Sequence, residues 1–407
     1  ITSENFDKEI PDVIARLNSS YLFLQGPPGT GKTFQSANAI VELLKKNKRI
    51  AVTANSHKVI HNLLERVEKI AEKQSFLFKG LKMGNPDNED TFYKGKLIKT
   101  DKNERHYIDG LKERNTLLYA GTKYHLSQWY YRSKIDYLIV DEAGQISIAD
   151  LIALGGVAKN IILVGDQLQL GQPTQGSHPG LSNNSVLDYL LQGKDTVEDN
   201  RGIFLSRTYR MHPNINSFIS ENFYENKLLT NPENKNRKID FPKNFFLNNE
   251  GIHAILMDHE DCTQTSEQEF KKIDEIIKKL IGKKFTDADN KERPLTIEDF
   301  LIVSPYNAQV NFLLARLPEG TRCGTIDRFQ GQEAPVTIIS MTSSDLESLP
   351  RDKSFFFNRN RLNVAISRAQ CLSVILFNPK LLDSPPKTYE EFKMINNFQK
   401  LLKFKIN

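Results

Sequence analysis

The apolar residues of this chain fall into short runs that alternate with longer, more polar stretches. In the first half these runs cover residues 21–24, 50–53, 116–120, 135–140 and 161–164, and a helical stretch such as 58–72 lies between two of them. Short apolar runs bounded by turn residues are typical of buried strands. Strands that alternate with helices predict a parallel sheet with crossover helices.

The same alternation recurs in the second half of the chain. Six further strands are predicted, with helices at 267–281 and 307–316 between them; the strands cover residues 202–205, 253–257, 300–304, 323–326, 336–340 and 372–377. A chain of 407 residues is too long for one compact core. We therefore predict an α/β protein with two parallel-sheet domains, residues 1–196 and 197–407.

The composition argues against a membrane-spanning protein and against a disulfide or zinc framework. No apolar run approaches the roughly 20 residues that span a bilayer, so no membrane partner is expected. Cys262, Cys323 and Cys371 lie far apart, without zinc or disulfide spacing, which favours a reducing cytoplasmic setting, or a nuclear one in a eukaryote. The net charge of +5 suits a polyanionic partner but does not require one.

A glycine-rich segment, GPPGTGKT, follows the first predicted strand and precedes a helical stretch. In this setting it is typical of a loop that binds the phosphates of a nucleotide, with backbone N–H groups and a helix N-terminus around them. The candidate residues are Gly26, Pro27, Gly29, Thr30, Gly31, Lys32 and Thr33. Lys32 would reach the outer phosphates of ATP, and Thr33 would ligate Mg²⁺; the alternative is a glycine-rich turn without a ligand.

Two adjacent acids end the strand predicted at 135–140. Asp141 would hold Mg²⁺, and Glu142 would orient and deprotonate the attacking water. Such a pair alone would be an ordinary solvated turn, but the phosphate loop upstream favours the catalytic interpretation. Gln169, after the strand at 161–164, is a candidate sensor of the γ-phosphate.

The second half has no phosphate loop but supplies two candidate arginines. Arg210, in TYRMHP, and Arg368, in RLNVAISR, each lie beside a predicted helix terminus. A guanidinium is always charged and can bind two phosphate oxygens, so either arginine could stabilise a transferred phosphoryl group. For either arginine taken singly, a surface salt bridge would be the favoured interpretation.

Six segments in this order resemble the motifs of superfamily 1 helicases: residues 26–33, 141–145, 165–170, 209–213, 325–333 and 361–369. The resemblance covers residues 22–377 and is greatest to the branch of the nonsense-mediated-decay helicase and the Okazaki-flap nuclease-helicase. It implies two RecA-like domains that hold ATP between them and single-stranded DNA or RNA across their tops. In that family Tyr209 would stack on the base, Glu333 would lie near the sugar and γ-phosphate, and movement would be 5′ to 3′.

Short polar side chains follow several predicted strands and would contact the nucleic-acid backbone. The candidates are Thr53, Asn55, Ser56, Thr122, Pro305, Tyr306, Gln309 and Thr325. As isolated turns such residues are more often helix caps, and Ser56 suits that role. The aromatic cluster Trp129, Tyr130 and Tyr131 could stack on bases, although core packing is the commoner role.

Three features differ from the family pattern. No Gln precedes Gln25 to read adenine, so the preference for ATP over other triphosphates stays open. The chain starts at Ile1, close to the phosphate loop, so we expect an upstream barrel and an accessory or nuclease domain to be missing. The charged stretch 82–113 is either an insertion beside the nucleic-acid channel or a solvated helical appendage.

These observations together predict an ATP-driven helicase and translocase on single-stranded DNA or RNA. A nucleotide-gated clamp that remodels protein–nucleic-acid complexes with little unwinding is the alternative. A purely structural ATP-binding scaffold is disfavoured by Glu142, because a scaffold needs no residue that activates water.

Overall fold

The computed structural model describes residues 5–171, 180–242, 245–329, 331–345, 357–383 and 388–406. The chain forms two compact units. The first comprises Ile1–Gln167 and Gly171–Ser206, and the second comprises Leu168–Leu170 and Arg207–Asn407. No helix in the described ranges is both long and apolar enough to cross a membrane.

The first unit is built on a sheet of eight parallel strands, in the order β4-β3-β5-β2-β6-β7-β1-β8. The five strands predicted for the first half are all present. The strands are β1 (Tyr21–Gln25), β2 (Ile50–Thr53), β3 (Gly80–Met83), β4 (Ile98–Asp101), β5 (Leu118–Ala120), β6 (Ile135–Val140), β7 (Ala158–Gly165) and β8 (Gly202–Phe204).

Helices cover both faces of this sheet, so side chains on either side of each central strand are buried. Leu22 and Leu24 of β1 belong to the core beneath α2 and α3, whereas Phe23 belongs to the core of the opposite face. The α-helices of this unit are α1 (Phe6–Ala15), α2 (Lys32–Lys45), α3 (His57–Lys73), α4 (Glu104–Glu113), α5 (Lys123–Leu126), α6 (Ile148–Leu154) and α7 (Val186–Leu191).

Two parts of this sheet differ from the sequence analysis. The stretch 82–113, expected as an insertion or a helical appendage, supplies the end of β3, the edge strand β4 and helix α4, and Lys82 is fully buried. The strand predicted at 202–205 belongs to the first unit and not to the second, because β8 pairs with β1 in the register Phe23↔Gly202. The first unit therefore extends to Ser206 instead of residue 196.

The second unit is built on a sheet of five parallel strands, in the order β12-β18-β17-β15-β16. Its ten strands are β9 (Arg207–Thr208), β10 (Leu229–Thr230), β11 (Lys238–Ile239), β12 (Gly251–Leu256), β13 (Lys284–Thr286), β14 (Glu292–Pro294), β15 (Phe300–Val303), β16 (Arg322–Gly324), β17 (Ala334–Ser340) and β18 (Ala369–Phe377), as far as the described residues show. Its α-helices are α8 (Pro213–Phe223), α9 (Glu267–Leu280), α10 (Asn307–Leu314), α11 (Arg359–Ile366) and α12 (Tyr389–Gln399). Both large sheets are parallel, which confirms the predicted fold class, the RecA-like α/β fold of P-loop NTPases.

Candidate nucleotide site and nucleic-acid edge

The phosphate loop joins β1 to α2 in the first unit. Gly29 and Gly31 have φ of 75° and 79°, a left-handed conformation that favours glycine, and Gly31 caps α2. The Thr30 hydroxyl donates to the Pro27 carbonyl oxygen at 2.8 Å. The first-turn N–H groups of α2 have no carbonyl partner within the helix, so this loop end is suited to an anion.

Lys32 folds back over the start of the loop. Its Nζ donates to the Gly26 carbonyl oxygen at 2.6 Å. A Cβ atom on Gly26 would lie 2.0 Å from Lys32 Cγ, so only glycine leaves room for this side chain. Lys32 and Thr33 are half-buried, and their position at the N-terminus of α2 places an ammonium and a hydroxyl beside the loop.

The acidic pair lies directly after β6. Asp141 is 4% exposed, and its N–H donates to the Thr53 carbonyl oxygen at 2.9 Å, which ties it to the end of β2. Burial, followed by the neighbouring Glu142 charge, raises the pKa of Asp141 to about 7, against the opposing effect of Lys32. A buried carboxyl of this kind gains from a bound cation.

Glu142 adopts φ of 51°, an uncommon left-handed conformation for a non-glycine residue, and it remains half-buried. Its N–H donates to Asp141 Oδ1 at 2.9 Å. The following turn packs closely on the end of β7, where a Cβ on Gly165 would lie 3.0 Å from the Ala143 nitrogen. Strained backbone of this kind is concentrated at functional sites.

A buried amide pair at the start of the loop was not identified from the sequence as part of the site. Gln25 Nε2 donates to Gln167 Oε1 at 3.1 Å and to the Asp195 carbonyl oxygen at 2.9 Å, while Gln25 Oε1 accepts from the Val197 N–H at 2.7 Å. Gln167 Nε2 also donates to Asp195 O, at 2.7 Å. The one sequence signal that could have indicated this pair is a glutamine, Gln25, at the end of an apolar strand. The pair ties the ends of β1 and β7 to segment 194–197.

Three predicted residues of the second unit meet within that unit. Arg210 Nε donates to Glu333 Oε2 at 2.5 Å, and Arg210 Nη1 donates to the Ser367 carbonyl oxygen at 3.2 Å. Burial alone would raise the pKa of Glu333, but Arg210 and other donors hold it below its usual range. Arg368 Nη1 donates to the Gln332 carbonyl oxygen at 3.2 Å, next to Glu333 in the chain. Each arginine is at most 9% exposed.

Two other predicted residues differ in exposure. Tyr209 is 53% exposed, so its ring is free to stack on a ligand, and its carbonyl oxygen accepts from Arg237 Nη2. Gln169 is buried, and it belongs to the second unit although its chain neighbour Gln167 belongs to the first. Its role as a γ-phosphate sensor stays a prediction.

Five of the predicted nucleic-acid residues keep some exposure at strand ends. Asn55 is exposed, and its Nδ2 lies 3.4 Å from Gln145 Oε1. Ser56 caps α3 by accepting from the Val59 N–H at 3.3 Å, which was the alternative role. Thr122, Pro305 and Thr325 are half-buried, within two residues of the ends of β5, β15 and β16.

Three predicted nucleic-acid contacts are buried and need correction. Thr53 and Gln309 are fully buried, and Tyr306 is 4% exposed. Gln309 uses both ends of its amide inside the unit: Oε1 accepts from the Ser266 N–H and Nε2 donates to Ser340 Oγ, each at 3.0 Å. A side chain so engaged is not available to a nucleic-acid strand.

The aromatic cluster is divided between core and surface. Tyr130 and Tyr131 are buried, and the Tyr131 hydroxyl lies 2.6 Å from His125 Nε2, as core packing predicts. Trp129 is 71% exposed. Of the three aromatic residues in this cluster, Trp129 is therefore the one that could stack on a base.

Two family models, both described as AAA domain, match residues 11–182 and 183–380. Among curated proteins, the regulator of nonsense transcripts 1 homolog of Drosophila melanogaster is 27% identical over 88% of this chain and 33% of its own length. The DNA polymerase alpha-associated DNA helicase A of Schizosaccharomyces pombe is 27% identical, over 85% of this chain and 59% of its own. The DNA replication ATP-dependent helicase/nuclease dna2 of the same yeast is 24% identical, over 89% and 27%.

The chain thus spans between 27% and 59% of the length of these relatives. Among solved structures, an arterivirus nonstructural protein 10 helicase aligns with 92% of this chain and 62% of its own, at 14% identity and a TM-score of 0.47. The two AAA-domain models together span residues 11–380, and the relatives that this chain resembles include two proteins named as helicases.

Proposed function

We propose that this chain is an ATP-driven motor core that translocates 5′ to 3′ along single-stranded DNA or RNA and unwinds duplexes. The observation that carries the proposal is a phosphate loop closed by the Lys32–Gly26 hydrogen bond, in the same unit as the buried Asp141 and the strained Glu142. A scaffold that only binds nucleotide would need neither the strain nor the second carboxylate.

The residues present fit ATP and Mg²⁺. The glycine conformations of the loop suit the phosphates, Lys32 supplies positive charge, and the raised pKa of Asp141 shows a carboxyl that a cation would stabilise. Thr33 and Asp141 would hold the ion, with phosphate oxygens and water completing its shell. When bound, Mg²⁺ neutralises phosphate charge.

The chain's own residues would then perform the hydrolysis. Glu142 accepts a proton from the attacking water, and Lys32 stabilises charge on the outer phosphates. We assign Arg210 and Arg368 to the charge that develops on the transferred phosphoryl group, and Gln169 to sensing it. Glu333, which already holds Arg210, would orient that guanidinium.

The proposed track uses backbone contacts, which carry no sequence information. Asn55, Ser56, Thr122, Pro305 and Thr325 keep exposure at strand ends, and Tyr209 is exposed enough to stack. The relatives include a regulator of nonsense transcripts and two proteins named for DNA, so we propose both nucleic acids as candidates. Three free cysteines suit a reducing compartment such as the cytoplasm or nucleus.

The first test is the steady-state rate of ATP hydrolysis with and without single-stranded DNA and RNA of matched sequence. We expect stimulation by at least one of them, which weakens steeply as salt rises. Lys32→Ala is the control, because loss of its ammonium should abolish turnover in every condition. A rate that no strand changes at low salt would contradict the motor.

The second test is direction. Duplexes with a 5′ or a 3′ single-stranded tail are offered with ATP, together with strands that carry an end-bound blocking protein. We expect unwinding or displacement from the 5′ tail. A preference for the 3′ tail in both assays would refute the direction but keep the motor. Stimulated hydrolysis without any displacement would favour the nucleotide-gated clamp.

A further inference from the structure

The second unit contains a buried polar cluster that takes no part in the proposed hydrolysis and that includes Gln309, one of the corrected nucleic-acid residues. It consists of Glu269, His259, Gln309, Ser340, Thr342 and Ser344, each at most 2% exposed, and we call it the Glu269 cluster. Its members come from α9, from the loop after β12, from α10, and from the end of β17 with the turn that follows. An ionisable side chain in such a place is retained only when its partners compensate for the lost solvent.

Glu269 is the centre of these hydrogen bonds. Its Oε2 accepts from Ser340 Oγ at 2.5 Å, and its Oε1 accepts from the Thr342 N–H at 3.0 Å. His259 Nε2 lies 3.3 Å from the same Oε1, and His259 Nδ1 lies 2.8 Å from Ser344 Oγ. The carboxylate therefore contacts both the last residue of β17 and the turn after it.

The turn after β17 is strained. Thr342 has φ of 65°, and a β-branched residue rarely adopts this left-handed conformation. Its hydroxyl donates to the Met341 carbonyl oxygen at 2.6 Å, and its N–H donates to Glu269. Such strain persists only when surrounding contacts hold it. The Glu269 carboxylate is the side chain that holds the Thr342 N–H, while the Ser343 hydroxyl anchors the next residue by donating to the Thr263 carbonyl oxygen at 2.6 Å.

This turn lies at the edge of the sheet that carries the proposed track. Pro305 and Thr325 follow β15 and β16, and the carboxyl ends of parallel strands meet at one edge. Gln309, on the helix that follows Pro305, donates to Ser340 Oγ and accepts from the Ser266 N–H. The cluster therefore joins the turn after β17 to the helix that follows Pro305.

We infer that Glu269 is a positioning residue for the nucleic-acid grip of the second unit. By holding Thr342 in its strained conformation, Glu269 fixes the edge of the sheet on which Pro305 and Thr325 lie. It does so without contacting the nucleic acid itself. Gln309 acts through the same cluster and not as a direct contact. This inference rests on the proposed function for its ligand, single-stranded nucleic acid.

The test uses Glu269→Gln in the full chain, which keeps the shape of the side chain but removes its charge and one acceptor. We expect the concentration of oligothymidine or oligouridine that half-saturates stimulated ATP hydrolysis to rise about tenfold, as for loss of a charged hydrogen bond. Hydrolysis without nucleic acid should stay within about twofold of wild type, because the cluster includes none of the assigned catalytic residues. Glu275→Gln, partly exposed on the same helix, is the matched control and should change neither value.

A rescue separates positioning from simple stability. Glycine adopts a positive φ without cost, so Thr342→Gly added to Glu269→Gln should restore half-saturation to within about threefold of wild type. Ser344→Ala removes one hydroxyl of the cluster and should shift half-saturation about threefold in the same direction, which keeps the test open if Glu269→Gln does not fold.

Unchanged half-saturation in both Glu269→Gln and Ser344→Ala would overturn the inference, and so would failure of the glycine rescue. If wild type hydrolyses no ATP, the proposed function fails first. Fluorescence anisotropy of the same oligonucleotides, without nucleotide, then measures the grip directly. Equal affinity of wild type and Glu269→Gln in that assay would overturn the inference by itself.

Discussion

At the scale of single residues, the role proposed for Glu142 predicts that nucleotide binding can be separated from turnover. It lies next to the buried Asp141 but remains half-buried itself, which suits a group that must exchange a proton with water. Glu142→Gln should keep ATP affinity within a few-fold of wild type and lose turnover by about 10²-fold or more, in the range of a lost general base. Nucleotide titration and steady-state hydrolysis measure the two effects.

Lys32→Ala is the natural comparison for that variant. Loss of its ammonium removes charge from the phosphate loop, so both affinity and turnover should fall together. Hydrolysis at the wild-type rate in Glu142→Gln would remove that residue from the proposed mechanism. Equal losses of affinity in the two variants would show that Glu142 acts in binding.

The positions of residues in a contiguous motif could be predicted from the sequence, whereas the burial of an isolated polar residue near a strand end could not. Lys32 and Asp141 lie where the loop and strand pattern put them. Gln309 and Thr53 were misplaced, because a short polar residue after a strand can point into the core or out of it, and sequence spacing is the same in both cases. Glu269 was missed because its partners are distant in sequence.

At the scale of elements, Gln25 and Gln167 tie β1 and β7 to segment 194–197. Gln25→Leu would leave the Val197 N–H and one hydrogen bond of the Asp195 carbonyl unsatisfied in a buried place. We expect a loss of about 1–3 kcal/mol of unfolding free energy and weaker nucleotide binding, because the phosphate loop begins at the next residue. Chemical denaturation and nucleotide titration test both effects.

The exposed Gln128→Leu is a suitable control for this variant, since it lies on the surface of the same unit. A full loss of stability without any change in nucleotide affinity would show that the amide pair supports the sheet but not the loop. Unchanged stability would contradict the role of the amide pair altogether.

Strands β3 and β4 of the first unit were not predicted, because the sequence around them is highly charged. Residues 82–113 are rich in lysine and acidic residues, which predicts a solvated segment. In the structure, β3 and β4 extend the sheet, and β4 is an edge strand, where one side of the strand stays open to water. Lys82 is buried with its Nζ on the Thr91 carbonyl oxygen, a contact that no local pattern signals.

At the scale of the whole molecule, the proposed motor needs arginines of the second unit for hydrolysis. Arg210→Ala or Arg368→Ala should lower turnover about 10³-fold, in the range of arginine fingers. Each variant should also lose stability, because both side chains are buried and hydrogen-bonded, so turnover is compared where the variant is still folded. Lysine at either position should rescue only in part, since it cannot form the planar two-point contact. Steady-state hydrolysis measures the loss.

Arg316→Ala, exposed in the same unit, is the control for charge alone. Turnover within a few-fold of wild type in Arg210→Ala would leave that arginine only its ion pair with Glu333. The same result in Arg368→Ala would leave Arg368 as a structural contact of the Gln332 backbone.

Both units contain histidines that make folding sensitive to acid. Burial lowers the pKa of His125 to about 4, and burial, with a smaller effect of Arg237, lowers the pKa of His212 to about 4. Each is neutral in the folded state, whereas the unfolded chain takes up protons below about pH 6.5. Stability should therefore fall as pH falls from about 6.5 toward 4, by about 1 kcal/mol for each histidine at about pH 5.5.

Denaturation of His125→Gln and His212→Gln at neutral and acidic pH tests this dependence. Each variant should lose less stability than wild type on acidification. Asp141 acts in the opposite direction, because its raised pKa favours the folded state below about pH 7. For this reason each variant is compared with wild type at the same two pH values, and an equal loss of stability on acidification in all of them would contradict the prediction.

Because β1 lies between β7 and β8, it cannot pair fully until both of these later strands have been synthesised. Phe23 lies opposite Leu163 and Gly202, so both neighbours of the phosphate-loop strand are made long after it. At about 5–20 residues per second, a ribosome takes roughly 10–40 s to pass from this strand to the end of β8. Until β7 is made this apolar strand has two open edges, and until β8 is made it keeps one, so the growing chain is open to wrong pairing before the sheet around the phosphate loop is complete.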